Sequence, residues 1–411
     1  MKLTLDTLKE AVEKDAAFRR RRRLQPAGGV GDKLFPPTYP GEIGRNPPPQ
    51  HVFERRHIDG KEVWCVLLDS VQSQANRLEE ALLEAAREKS IALPYLFVDF
   101  AGAGFNSIGE ITSLDAPHRV FDAILRDSLL DGTPFRESEV GKSLEEATAR
   151  DATAILEASP TALLFGVWNS TGEGGGIGAK FPRAIVSEIV GIDVPVEDGA
   201  TDARTGEVQK RTSARRTSSR IDPLGILRAV EIYKGQDGWD VTEEGAGANA
   251  KRIRPSEIVH GNIRPSVDAL GITCAYAQQI AVITLAGLRR LRFGNSAERD
   301  VAARALIAAL GLVALVEQDA QGYALRSRCD LVCEGDGPLE KVAFDGSIKT
   351  MTLSREEAVD LYKEAYAKAL DAGFTLDEKP VRLVPQDKLQ AIVKDSMKRA
   401  LSGEGDADET E

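Results

Sequence analysis

A chain of 411 residues can bury a large core, and its 42% hydrophobic and 28% charged content is that of a folded protein. The formal net charge of −11 excludes general coating of nucleic acid, yet leaves room for a local basic groove, because screening confines each exposed charge to about 8–10 Å. Cys65, Cys274, Cys329 and Cys333 make no disulfide framework in a chain this long, Cys329/Cys333 would be half a metal site at most, and His51, His57, His118 and His260 lack ligand spacing.

The chain opens with an amphipathic helix that carries charges throughout and is expected to stop near Phe18. It has no secretory character. Five arginines, Arg19 to Arg23, follow; such a run is a solvated face or touches RNA or a neighbouring subunit. The Gly/Pro-rich stretch from Pro26 to Pro49 predicts an extended arm, since proline removes donors and glycine loosens the backbone. Two strand-like runs flank Asp59-Gly60, a hairpin signal, and the second ends as an apolar strand, Val63 to Leu68. A helix is predicted from about Gln74 to Lys89, then a strand from Tyr95 to Phe100, which reads as the start of an α/β sandwich, either ferredoxin-like or parallel βαβ.

Residues 116–158 carry a helical pattern and predict an inserted lobe. Strands are expected at Leu163–Trp168 and Ala184–Ile192, a polar loop or long hairpin at 197–220, and a Gly-rich gap at 235–250. Tyr276–Leu291 and Ser296–Val316 read as two apolar helices, Ser354-Arg355-Glu356-Glu357 as a capping box, and Gln386–Leu401 as a last helix before an acidic tail. The longest apolar run, Ala305 to Val316, is short of the roughly 20 residues a bilayer needs, so no membrane partner and a cytoplasmic location are expected.

Three segments could carry function. The first is the turn after Leu68, with Asp69, Ser70, Gln72, Ser73, Gln74, Asn76 and Arg77; one cap would satisfy the helix, and the surplus amides and hydroxyls at its free N–H groups suit an anion, or else form a buried polar network. The second is the glycine loop, Gly172 to Gly178 with Gly174, Gly175 and Gly176, between Asn169-Ser170 and Lys180/Arg183. Glycines let backbone N–H groups meet a phosphate, but Lys180 is followed by Phe181-Pro182, so both the P-loop and the dinucleotide fingerprint fail. A mobile hairpin tip is the plain alternative. The third is a hydroxyl-rich basic loop, where Arg204, Lys210, Arg211, Arg215, Arg216 and Arg220 face one acid, Glu207. Smaller basic groups recur at Lys251/Arg252/Arg254, Arg289/Arg290/Arg292 and Arg326/Arg328. No catalytic motif is present: G-x-S-x-G and HExxH are both missing.

LLDSVQSQANRLEEAL (67–82), ALLFGVWNSTGEGGGIGAKFPRAIVSEIVGID (162–193), SSRIDPLG (218–225) and GYALRSRCDLV (322–332) together resemble the Cascade backbone subunit of subtype I-G CRISPR systems, formerly I-U, of the RAMP superfamily. The resemblance implies an α+β fold: a modified RRM, ferredoxin-like palm over about 51–350, with an inserted helical finger and thumb-like loops. It implies copies stacked along CRISPR RNA, with target DNA engaged through the guide and other Cascade subunits as partners. Neither catalytic residues nor a cofactor nor a metal is implied. Gln72, Ser73, Gln74, Asn76 and Arg77, then Asn169, Ser170, the loop glycines, Lys180 and Arg183, then Arg215, Arg216, Arg220, Arg326 and Arg328 become the expected RNA contacts. The rivals are an RNA-processing endonuclease of the same superfamily, which would use a histidine base, and a nucleotide-dependent enzyme using the glycine loop.

Overall fold

The computed structural model describes residues 2–40, 49–169, 179–201, 208–211, 220–263, 270–377 and 379–402. The expected contacts Ser170, Gly174, Gly175, Gly176, Arg215 and Arg216 lie outside them.

Helix α1 (Leu5–Lys14) is capped by the Thr4 hydroxyl, which accepts from Thr7 N–H, and it ends well before Phe18. The five arginines, expected as a solvated face or a contact, are drawn into the sheet. They form β1 (Ala17–Pro26), an inner strand of the main sheet. A two-residue turn with positive φ at Asp59 and Gly60 joins β2 (Phe53–Ile58) to β3 (Lys61–Asp69), the geometry that the Asp-Gly pair demands. β3 leads into α2 (Val71–Arg87). Further along come β4 (Ile185–Ile192), β5 (Tyr276–Thr284), α3 (Ala297–Gln321), β6 (Tyr323–Arg326), β7 (Cys329–Cys333), β8 (Leu339–Val342), β9 (Ile348–Met351) and α4 (Arg355–Asp371). The strands run in the order β6-β7-β1-β5-β4-β3-β2, with β8 also paired to β1 and β9 to β8, and these ladders are antiparallel. The chain is thus α+β.

Sheet periodicity decides what faces the helices. On β5, Ala277, Gln279, Ala281 and Ile283 are buried while the residues between them are half-exposed. That alternation corrects the expected helix at 276–291. The apolar run suits either element, and only the period of two separates them; helix is confined to the turn Leu285–Leu288. β1 alternates likewise. Phe18, Arg20 and Leu24 point inward, and Arg19, Arg21 and Arg23 share the other face. Each of these arginines finds an acid: Arg20 Nη1 donates to Asp319 at 2.6 Å, Arg19 Nε to Glu340 at 2.5 Å and Arg23 Nε to Glu334 at 2.7 Å. Arg20 is 5% exposed, so this ion pair belongs to the core rather than to a solvated face.

α3 explains the core. From Ala302 to Gln318 it is buried on every side, as expected of a helix apolar all round, with α1, α2 and α4 packed on it. Two further expectations are corrected. Leu96–Asp99 does not continue the main sheet; it pairs in parallel with Val381–Pro385 and antiparallel with Glu110–Thr112 in a second sheet, so β3, α2 and this strand make no βαβ unit. Leu163–Phe165 is helical, because Pro160 at the first helical position starts a short helix, Pro160–Phe165, and only Val167–Trp168 is extended. Residues 197–220 do begin as a hairpin, Glu197–Thr201 against Val208–Arg211. Ser354 caps α4 with Glu357 in the expected box. Among the described residues no helix is long and apolar enough to cross a membrane.

Candidate functional site

β3 delivers Asp69 to its end, and Ser70 caps α2 by accepting from Ser73 N–H at 3.2 Å. Asp69 is fully buried, and four side chains converge on it. Ser73 Oγ and Arg326 Nη2 donate to one oxygen at 2.8 and 3.0 Å; Gln74 Nε2 and Arg77 Nε donate to the other at 2.7 and 3.0 Å. Arg326 also donates to Leu68 O at 2.6 Å, and Arg77 to Leu325 O. The carboxylate therefore pins α2 and the β6 end to one point. A buried charge of this kind persists only when fully paired.

The expected contacts in this turn divide. Gln74 is fully buried: its Oε1 accepts from Ser187 Oγ and Gln279 Nε2, each at 2.9 Å, and Gln279 reaches on to Gln318 at 2.7 Å. Its side chain is spent inside the core and offers nothing to a ligand on the surface. Gln72 and Asn76 are exposed, one helical turn apart on one face of α2. Arg77 and Arg326 remain about a quarter exposed beside the carboxylate they share, and Arg328 is exposed in the same β6–β7 turn, over the Phe35 ring at 4.3 Å. Two guanidiniums, Arg77 and Arg326, thus share one carboxylate and keep positive charge after pairing.

Farther along α2, Glu79 makes a second buried knot. Arg119 donates to both its oxygens, at 2.6 and 2.7 Å, and to Gly166 O at 2.8 Å. Burial nevertheless pushes the Glu79 carboxyl up, against the pull of Arg119. Arg119 has φ +50°, a left-handed residue in the 3-10 turn that delivers it. Gly166 has φ +82°, and a Cβ there would sit 2.8 Å from Arg183 Cγ, so the backbone passes Arg183 only as glycine. Arg183 is half-buried against this pair. Burial, and then the nearby Arg119, lower its pKa, and it makes no ion pair or hydrogen bond among the described residues. A partly desolvated guanidinium without a hydrogen-bond partner is suited to receive an anion.

The two strand residues at the base of the glycine loop, Val167–Trp168, pair with Lys180–Phe181, and Lys180 Nζ lies 4.1 Å from the Trp168 ring centre. Asn169 N–H donates to Ala179 O at 3.2 Å, while its buried Oδ1 has no partner. Arg220 is exposed and bridges Ile263 through its backbone. The structure therefore joins Lys180, Arg183 and Asn169 around the loop base and Ser73, Arg77 and Arg326 around Asp69, with α2 as the common rail. Glu79 and Arg119 escaped the sequence reading: nothing local marks a left-handed arginine forty residues from its partner.

Residues 18–196, which are 179 of the 411, match the family model described as CRISPR-associated protein GSU0053. Over that span the chain is similar to a CRISPR-associated protein family. The match spans β1 to β4, and so contains α2, both carboxylate knots and the glycine loop, but not Arg326 or the basic loop ending at Arg220. No curated protein matches the chain.

The histidines and cysteines are placed as follows among the described residues. His51 is buried; its Nε2 accepts from Gly271 N–H at 3.0 Å, its Nδ1 faces Pro37 O at 3.1 Å, and burial lowers its pKa. His57 and His118 are exposed on separate elements, and His260 packs edge-on to Trp239. Cys333 accepts from Arg22 Nε at 3.0 Å, whereas Cys329 is buried with its thiol pushed up to about 11 by burial. No group of three His, Cys, Asp or Glu residues is placed to hold a metal ion among the described residues.

Proposed function

We propose that this chain is a non-catalytic RNA-holding backbone subunit of a type I CRISPR interference complex, binding the spacer of CRISPR RNA as one of several copies. In this reading the antiparallel sheet with its helical layer is the RRM-like palm, and the rail along α2 is the RNA groove. The observation that carries it is the half-buried Arg183 beside the glycine loop, which makes no ion pair among the described residues, together with the cationic pair Arg77 and Arg326 at the start of α2. Both stretches lie on or against one helix inside or next to the span that matches a CRISPR-associated family. Guanidiniums and backbone N–H groups at this spacing suit phosphates and carry no base sequence, which is what a guide-holding protein needs.

Fluorescence anisotropy with labelled single-stranded RNA tests the reading. Wild-type protein should bind irrespective of base sequence, with affinity that falls steeply with salt, and leave labelled repeat RNA intact. Cleavage abolished by His57→Ala would replace it with the endonuclease reading.

A further inference from the structure

A small antiparallel sheet stands apart in sequence from the groove: Ile232–Gly235, Gly238–Asp240 and Lys251–Ile253. Its register sets Lys234 directly opposite Trp239 on one side and opposite Lys251 on the other. Directly opposed residues share a face, so an indole and two ammonium groups stand in a row across three strands. Trp239 is 53% exposed, both lysines are exposed, and neither lysine makes an ion pair among the described residues.

Three acids of the module, Glu231, Asp240 and Glu257, are turned away or occupied, while Asp237, Glu243 and Glu244 are exposed. Glu231 pairs with Arg252 at 2.5 Å, on the residue whose register partner, Tyr233, puts it on the opposite face. The Asp240 carboxylate accepts from both the N–H and the hydroxyl of Thr242, each at 2.8 Å, and Glu257 accepts from Arg254 N–H at 2.6 Å. The indole is held in place. His260 meets its ring edge-on at 6.1 Å, and a Cβ on Gly235 would lie 2.5 Å from Ala246 O, so the hairpin is packed against its own loop. Val241 and Val259, later in the chain, are 62% and 94% exposed.

We infer that Trp239, flanked by Lys234 and Lys251, is a stacking platform for an unpaired nucleobase of a single-stranded nucleic acid. A fixed, uncovered aromatic face with cations beside it accepts any base, while the lysines take the adjoining phosphates. The inference rests on the RNA-holding reading and adds to it a second contact surface, one that touches bases where the groove touches phosphates.

The test uses the full chain, short oligouridylate, and the variants Trp239→Phe, Trp239→Ala and Arg183→Gln. The chain has three tryptophans, so the wild-type minus Trp239→Phe emission difference isolates the signal of Trp239. Oligouridylate should quench that difference signal, Trp239→Ala should weaken binding about tenfold, and Trp239→Phe should keep most of the affinity. Unchanged affinity in Trp239→Ala, with Arg183→Gln impaired, would overturn the platform and leave the groove standing. No binding by the wild type at any salt concentration would overturn the groove reading and the platform with it. Quenching by an added protein in place of the oligonucleotide would overturn it in favour of a protein-docking tryptophan.

Discussion

At the scale of single residues, the groove separates side chains that hold the protein from those free to hold a ligand. Arg183 is of the second kind. Arg183→Gln should leave the melting temperature close to wild type and lower the slope of log binding constant against log salt by about 0.7, as one lost phosphate contact on a single strand does; an unchanged slope in an anisotropy titration would remove it from the interface. Arg119 is of the first kind. Arg119→Ala strands the Glu79 carboxylate and should cost roughly 3–5 kcal/mol in urea unfolding at neutral pH. The pH dependence has a definite sign. Glu79 already titrates above its ordinary range in the folded protein, so its stabilising contribution is complete below the unfolded value and is lost as pH rises through the folded one. Without Arg119 that folded value rises further, and the deficit of the variant should shrink on mild acidification; a deficit independent of pH would contradict the account. Gln74 illustrates the limit of sequence reading here: five polar residues in one turn advertised a site, but which of them faces the core depends on Ser187 and Gln279, brought from distant strands.

At the scale of elements, sequence was a good guide wherever a local rule acts alone. The Asp59-Gly60 turn, the Ser354 box and the long α3 followed from turn chemistry, capping and length. It failed where one apolar run satisfies two periods, as in β5, and where a charge run is absorbed by partners far along the chain, as Arg20 is by Asp319. The glycine loop belongs between these cases. Its composition announced a backbone approach, while the decisive glycine, Gly166, lies before it. Gly166→Ala must place a Cβ against Arg183 at positive φ, so it should both destabilise the fold, by about 1–3 kcal/mol, and weaken RNA binding. Thermal melts and binding isotherms on the same sample check the two together. A variant that melts and binds like wild type would mean that Gly166 does not set the position of Arg183.

At the scale of the whole molecule, an acidic protein holding an anion requires that its basic residues be gathered rather than averaged. The five arginines of β1 share three acids, Glu340, Asp319 and Glu334, whereas Arg183 beside α2 and Lys234 and Lys251 in the Trp239 module make no ion pair among the described residues. That partition fits a subunit whose outer surface repels nucleic acid and whose groove retains one strand, and copies sharing a strand would then be spaced by the RNA. The most direct measurement is the mass and ultraviolet absorbance ratio of the complex purified after co-expression with a CRISPR array and its partner subunits. The account predicts several copies of this chain on one RNA of roughly spacer length, resistant to nuclease while bound. A single copy free of RNA, in an otherwise assembled complex, would contradict it.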